Sequence, residues 1–213
     1  SSDQLFMWGK GTQGASGNSN AVTQSSPVQV GSATDWALPC TFNGDPSQVG
    51  CITTGNKLYM WARNYEGACG FNEDAFISSP VQVGSLTNWG NTLGKFSCGS
   101  VVTLAVKTDN TMWSWGQNSQ GELGLRDTSV RKSPVQIGSL TTWSKVAAGL
   151  WSCAAIKTDG TLWAWGKNEY GELGQGNTTK YSSPVQVGSA TNWSHITMGS
   201  SMWAINSSGE LYT

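Results

Sequence analysis

Apolar residues in this chain fall on both faces of short extended segments. In Thr161-Leu162-Trp163-Ala164-Trp165, alternation puts Leu162 and Ala164 on one side and Trp163 and Trp165 on the other. The aromatic side returns as Phe6 and Trp8, Tyr59 and Trp61, and Trp113 and Trp115. A second apolar run precedes it, such as Ala154-Ala155-Ile156 or Thr103-Leu104-Ala105-Val106. Between the runs stand Asp159-Gly160, Asp109-Asn110, Gly55-Asn56 and Ser208-Gly209, pairs that tolerate positive φ. The pattern predicts a tight two-residue hairpin in each unit. Pro-Val-Gln-Val/Ile-Gly supplies a further short strand, and its proline belongs at a strand start or edge.

These elements repeat. One tryptophan recurs at Trp8, Trp61, Trp115 and Trp165, at intervals of 53, 54 and 50 residues. Pro27, Pro80, Pro134 and Pro184 keep the same intervals, as do Trp36, Trp89, Trp143 and Trp193. The units span approximately 5–57, 58–111, 112–161 and 162–210, and 211–213 begins another. Within a unit, 19 residues separate the first tryptophan from the proline, and 9 separate the proline from the second tryptophan. The next stretch is 25, 26 and then 22 residues long, so all length variation falls there. Insertions at one equivalent point are expected to project from one face, which in repeat proteins is often the binding face.

A lone small sheet cannot hide two apolar faces. Face-to-face stacking of neighbouring sheets buries both, which is the logic of a propeller. Ten of the twelve tryptophans sit at repeat-defined positions, leaving Trp151 and Trp203 outside them. The 27 glycines suit an all-β chain of short strands and tight turns. Twelve basic residues nearly balance thirteen acidic ones, with no run of like charge, so no field steers the chain onto nucleic acid or anionic lipid. No apolar stretch approaches the roughly 20 residues that cross a bilayer, so no membrane insertion is expected. The start, Ser1-Ser2-Asp3-Gln4, carries no signal-like apolar segment, and a processed or partial chain is expected. Five cysteines cannot all pair internally. A disulfide between Cys40 and Cys51 is weighed against free thiols, and Cys98 and Cys153 read as buried thiols. Glycosylation-type triplets at Asn177, Asn192 and Asn206 are common by chance in a sequence rich in Asn and Ser.

Trp115-Gly116-Gln117-Asn118-Ser119-Gln120-Gly121-Glu122-Leu123-Gly124 and Trp165-Gly166-Lys167-Asn168-Glu169-Tyr170-Gly171-Glu172-Leu173-Gly174 resemble the signature of the regulator of chromosome condensation repeat family. Val146-Ala147-Ala148-Gly149 through Lys157-Thr158-Asp159-Gly160 is similar to the family's other half-repeat. The likeness is weaker in the second unit, where Ala62 and Gly67-Ala68-Cys69-Gly70 depart from the pattern, and the first keeps little beyond Trp8-Gly9. The resemblance implies an all-β fold: a β-propeller of this type with four repeats, or blades, in this chain, forming part of a seven-bladed or otherwise completed ring. Missing residues, a second copy or another chain are expected to complete it. Exchange-factor activity, known in one branch, depends on loops that nothing here identifies. The family's plant UV-B photoreceptor uses Gly-Trp-Arg-His-Thr where this chain has Gly149-Leu150-Trp151-Ser152-Cys153, without Arg or His.

Chemistry-bearing residues mostly have structural explanations. Glu122 and Glu172 invite a paired-carboxylate reading, yet they are one position in successive repeats and fit turn support. Asp109 and Asp159 are hairpin residues, and His195, the lone histidine, stands where Lys145 does in the preceding unit. No nucleophile elbow, zinc spacing or phosphate-binding loop is present, so neither catalysis nor a cofactor is expected. The leading expectation is a recognition scaffold that binds a protein partner through the longer segments, Leu38–Asp45 and Asn91–Phe96. Phe42 and Phe96 would be aromatic anchors with Asp45, Asn91 and Lys95 around them, unless the rings fold back onto the blades. On the anchor reading, deleting Asn91–Gly94 leaves folding intact and abolishes binding. Self-assembly as a bacterial or phage surface component, extracellular or on a virion, is the structural alternative. A glycan held by an exposed Trp151 or Trp203 is a third.

Overall fold

A computed structural model describes residues 3–20, 22–41 and 48–213, with Thr41 described by its backbone alone. The strands are β1 (Phe6–Gly9), β2 (Gln24–Gln29), β3 (Trp36–Thr41), β4 (Val49–Thr53), β5 (Leu58–Arg63), β6 (Phe76–Gln82), β7 (Phe96–Cys98), β8 (Val102–Val106), β9 (Met112–Gly116), β10 (Arg131–Gln136), β11 (Trp143–Ala148), β12 (Ser152–Lys157), β13 (Leu162–Gly166), β14 (Tyr181–Gln186), β15 (Trp193–Met198), β16 (Met202–Asn206) and β17 (Leu211–Tyr212). They form three four-stranded antiparallel sheets, β3–β6, β7–β10 and β11–β14. A two-stranded sheet, β1–β2, precedes these and a three-stranded one, β15–β17, follows. Among the described residues no helix is long and apolar enough to cross a membrane.

Sheet and sequence period are out of phase. A sheet starts at or just after the second tryptophan of one unit and ends with the proline strand of the next, so each unit is split between two blades. The hairpin joining β12 to β13 thus lies in the middle of a sheet, where Ser152 to Ile156 pair with Gly166 to Leu162. Pro134 and Pro184 lie on the edge strands β10 and β14, as a missing ladder donor requires. In β10 the proline falls inside a register shift between Arg131 and Val135.

Packing occurs between sheets, in four successive seams. Trp61 lies in the seam shared with β1–β2 and Trp115 in that between β3–β6 and β7–β10. Trp165 lies with Val102, Leu104 and Val146 between β7–β10 and β11–β14. Leu162 and Ala164, on the opposite face of β13, meet Met198 and Ala204 of the last sheet. Trp61, Trp115 and Trp165 are fully buried, whereas Trp8, the same position on β1, is 64% exposed. Trp61 and Trp165 donate their indole N–H groups to the carbonyls of Ala15 and Glu122, at 3.2 and 2.8 Å.

The seams demand close backbone approach. Gly121 has φ +81, and a Cβ there would stand 2.7 Å from Ser182 Cα of the next sheet. Only glycine meets both conditions without strain.

The hairpins carry three loop residues instead of two. Lys157 N–H donates to Thr161 O at 3.0 Å and Gly160 N–H to Lys157 O at 3.0 Å, and only Gly160 has positive φ. This is a type I turn closed by a left-handed residue. Asn56, Asn110 and Gly209 take that place in the other units. Asp159 Oδ1 fixes the turn by accepting from Thr161 N and Oγ1 at 3.0 and 2.7 Å, and Asp109 does the same for Thr111.

The length variation also has two origins. In the first unit the extra residues fall between β3 and β4, mostly outside the described residues. In the second they interrupt the first strand. Trp89 bridges Lys107, Phe96 pairs with Ala105, and 90–95 bulge out opposite Val106. The second insertion is therefore part of a strand and is not a loop between strands.

All five cysteines are free. Cys51 packs in the seam towards β1–β2 while Cys40 packs towards β7–β10, so the weighed disulfide would have to cross the sheet.

The long β9–β10 and β13–β14 connections are closed by buried asparagines. Asn118 Nδ2 donates to Asp127 O and Ser129 O at 3.0 and 3.1 Å, and its Oδ1 accepts from Leu123 N at 2.9 Å. Asn168 repeats this with Asn177, Thr179 and Leu173, and Asn64 with Phe71, Glu73 and Cys69. Asn118→Ala strands these groups, and chemical denaturation should show a loss of about 3 kcal/mol. A loss below about 1 kcal/mol would contradict this account of the loop.

Candidate interaction surface

The expected site residues that the structure describes do not form one surface. Phe42 and Asp45 lie outside the described residues. Phe96 is 5% exposed and packs in the seam between β3–β6 and β7–β10, so it is a core ring and presents no anchor. Asn91 Nδ2 donates to Thr54 O at 3.3 Å on the preceding hairpin. Lys95 Nζ reaches Asn110 Oδ1 at 2.7 Å and Trp143 O at 3.3 Å, and burial draws its pKa down. Val146 N–H donates to Gly94 O at 2.8 Å. The bulge is therefore a clasp between sheets, and deleting Asn91–Gly94 removes bonds that hold the fold.

Trp151 is different. It lies in the β11–β12 loop at 39% exposure, at the end of the sheet away from the hairpins. Pairing of Ser152 with Gly166 brings the residues after β13 alongside it, and Lys167 N–H donates to Trp151 O at 2.9 Å. The Lys167 ammonium then lies 4.9 Å from the Trp151 ring and 5.6 Å from that of Tyr170, which is 85% exposed. Glu169 holds the ammonium at 2.9 Å, and that hydrogen bond raises the lysine pKa, keeping it cationic. A cavity of about 200 Å³ opens here, reaching from Leu150 and Glu172 to Gly199 and Ser200 of the next sheet. Two exposed rings around a held cation suit a protein contact, with charged and hydroxyl groups at the rim. Lys167 and Tyr170 were not singled out from the sequence. The available signal was an aromatic residue where the other units carry Gln13, Glu66 and Gln120.

The two glutamates of the repeat signature support turns. Glu122 accepts from Gln120 N at 2.6 Å and Glu172 from Tyr170 N at 2.7 Å. Among the described residues no cluster of metal-ligating side chains occurs.

Family models for the "Regulator of chromosome condensation (RCC1) repeat" match residues 109–156 and 159–204, and a second model of that description matches 95–122 and 143–172. Together they cover about half of the chain. The chain belongs to the regulator of chromosome condensation repeat family. The ultraviolet-B receptor UVR8 of Arabidopsis thaliana is 30% identical over 137 residues, covering 64% of this chain and 31% of the receptor. Human WBSCR16 superposes with a TM-score of 0.81 at 19% identity, covering 96% of this chain and 54% of that one. Yeast RCC1 (Prp20), solved bound to Kap60, gives 0.78 at 20% identity over 94% of this chain and 49% of that one. The chain thus spans about a third to a half of these relatives, and the structural likenesses establish the propeller fold.

Burial raises the Glu122 pKa, so the folded chain holds that proton more tightly than the unfolded chain. Stability from this group is greatest at low pH and falls as pH rises through the elevated pKa. Glu122→Gln keeps an acceptor for Gln120 N–H and abolishes the titration. The melting temperature of the variant minus that of the parent should therefore move in the variant's favour between about pH 4 and pH 7. An unchanged difference would refute the assignment.

Proposed function

We infer that this chain is a non-enzymatic recognition scaffold that binds another protein through the loop end of its blades. The observation that carries this reading is the Trp151–Lys167–Tyr170 cluster, in which two exposed rings flank a charge-paired lysine on a rigid support. Membership of a repeat family in which yeast RCC1 was solved bound to Kap60 supports a protein partner. Asp109, Asp159 and Glu122 are each engaged in a turn, which leaves them no catalytic role on this reading.

A second reading rests on the end sheets. Trp203, Ile205 and Leu211 are exposed on the last sheet, where their counterparts in β12 and β13 are buried, and Phe6 and Trp8 are exposed on the first. A further sheet laid on either face would bury them, and assembly through blade edges would make the chain a structural component.

The first reading is tested with a photo-crosslinking residue at position 151, introduced into the protein in its source cells. It should capture a protein of different sequence. Trp151→Ala with Tyr170→Ala, carrying the crosslinker at Lys167, should reduce capture at least tenfold with the melting temperature kept within a few degrees. Capture only of further copies of this chain would favour the assembly reading, and undiminished capture by the double variant would exclude this surface.

A further inference from the structure

A pocket recurs at the hairpin end of the blades, and its occupant changes along the chain. In the β11–β14 sheet Trp143 and Trp163 meet edge to face, with centroids 6.1 Å apart at 80°. The Lys157 ammonium fills the angle between them, 3.7 Å from the Trp163 centroid and 5.0 Å from that of Trp143. The β7–β10 sheet repeats the arrangement. Trp89 and Trp113 are 6.1 Å apart at 79°, with the Lys107 ammonium 3.7 Å from Trp113 and 5.1 Å from Trp89. Each is an aromatic cage holding an alkylammonium ion supplied by the chain itself.

In the β3–β6 sheet the cage stands without its lysine. Trp36 and Tyr59 keep the edge-to-face geometry, 5.4 Å apart at 77°, but Thr53 occupies the lysine's position. No described lysine or arginine lies over either ring. Lys57, two residues before Tyr59, is half-buried just ahead of β5.

The neighbouring wall has changed in the same sense. Arg126 of the later pocket corresponds to Ser19, Leu140 to Ala33, and Thr142 to Asp35. The cavity grows from about 330 Å³ to about 610 Å³. Two cationic side chains leave the lining and one carboxylate enters it. In the last sheet Asn206 takes the lysine's place and is engaged by Glu210.

We propose that the cavity at Trp36, Tyr59 and Asp35 binds the alkylammonium group of a lysine side chain presented by a partner protein. The aromatic faces attract the cation as they attract Lys107 and Lys157 elsewhere in the molecule, and Asp35 supplies the countercharge. Thr53 and Ser19 leave the space that the ligand's methylene chain fills. The site lies at the opposite end of the blades from the Trp151 cluster and does not depend on the reading of that surface.

The experiment uses the whole chain with ¹⁵N-labelled tryptophan and follows the Trp36 indole N–H by NMR. The probes are n-butylammonium chloride, 1-pentanol, and acetyl-Gly-Lys-Gly-amide, all at one ionic strength. Both ammonium probes should shift the Trp36 signal saturably, the peptide at least as tightly as the amine, and pentanol at least tenfold more weakly. Thr53→Lys should weaken both ammonium probes more than tenfold and melt no lower than the parent, because the tethered ammonium fills the cage. Asp35→Asn, which leaves the cavity's shape intact, should weaken them at least threefold. Equal shifts from pentanol, or undiminished binding by both variants, would overturn the proposal. Binding of the amine without the peptide would overturn the lysine side chain as the ligand.

Discussion

Every sheet in this molecule is apolar on both faces, and that constraint governs the rest. A strand such as β13 presents Trp165 to the sheet before it and Leu162 with Ala164 to the sheet after it, so no sheet is stable alone. The hydrophobic contribution sits in seams between modules and adds up along the chain as in other repeat proteins. Removing one fully buried indole from a seam is a change of about 3–5 kcal/mol, a large share of a domain's net stability. Where a seam has no neighbouring sheet, the equivalent ring is wet, as Trp8 is.

Such packing sets secondary requirements. The long β5–β6, β9–β10 and β13–β14 loops, each joining two strands of one sheet, carry backbone groups into buried ground, and Asn64, Asn118 and Asn168 supply their partners. Glycine at Gly121 lets the turn touch the neighbouring strand. Glu122 accepts from a turn N–H at the cost of a carboxylate held partly out of water, which accounts for its raised pKa. These residues look like chemistry in the sequence and are architecture in the structure.

Much of this could be read from the residues. The three-landmark period, the alternation in Leu162–Trp165 and the proline edge strands all follow from side-chain direction and missing donors, and all appear in the fold. The expected loop at Asn91–Phe96 did not, because length variation alone does not say where an insertion goes. Residues 90–95 entered a strand and became a clasp through Asn91, Lys95 and the Gly94 carbonyl. The hairpin length turned on whether Thr158 counts as strand or loop, which the ladder decides and composition does not. Trp151 was visible as a tryptophan outside the period. Its partners Lys167 and Tyr170 were hidden in the signature, because only pairing of Ser152 with Gly166 brings them together. The cage at Trp36 is assembled from segments around Ser19, Asp35 and Thr53, a juxtaposition that no single window displays.

On the proposed reading, different residues carry stability and recognition. The seams bury Trp61, Trp115 and Trp165, while the loop ends and the modified pocket carry residues in which one repeat differs from the next. The direct test of the seams is the solvent contact of each indole. With 5-fluorotryptophan incorporated and each signal assigned by a single Trp→Phe substitution, ¹⁹F NMR in light and heavy water reports exposure ring by ring. Trp61, Trp115 and Trp165 should show no solvent isotope shift, and Trp8, Trp151 and Trp203 should show substantial ones. A substantial shift at Trp61, Trp115 or Trp165 would mean that the sheets do not lie against one another as described.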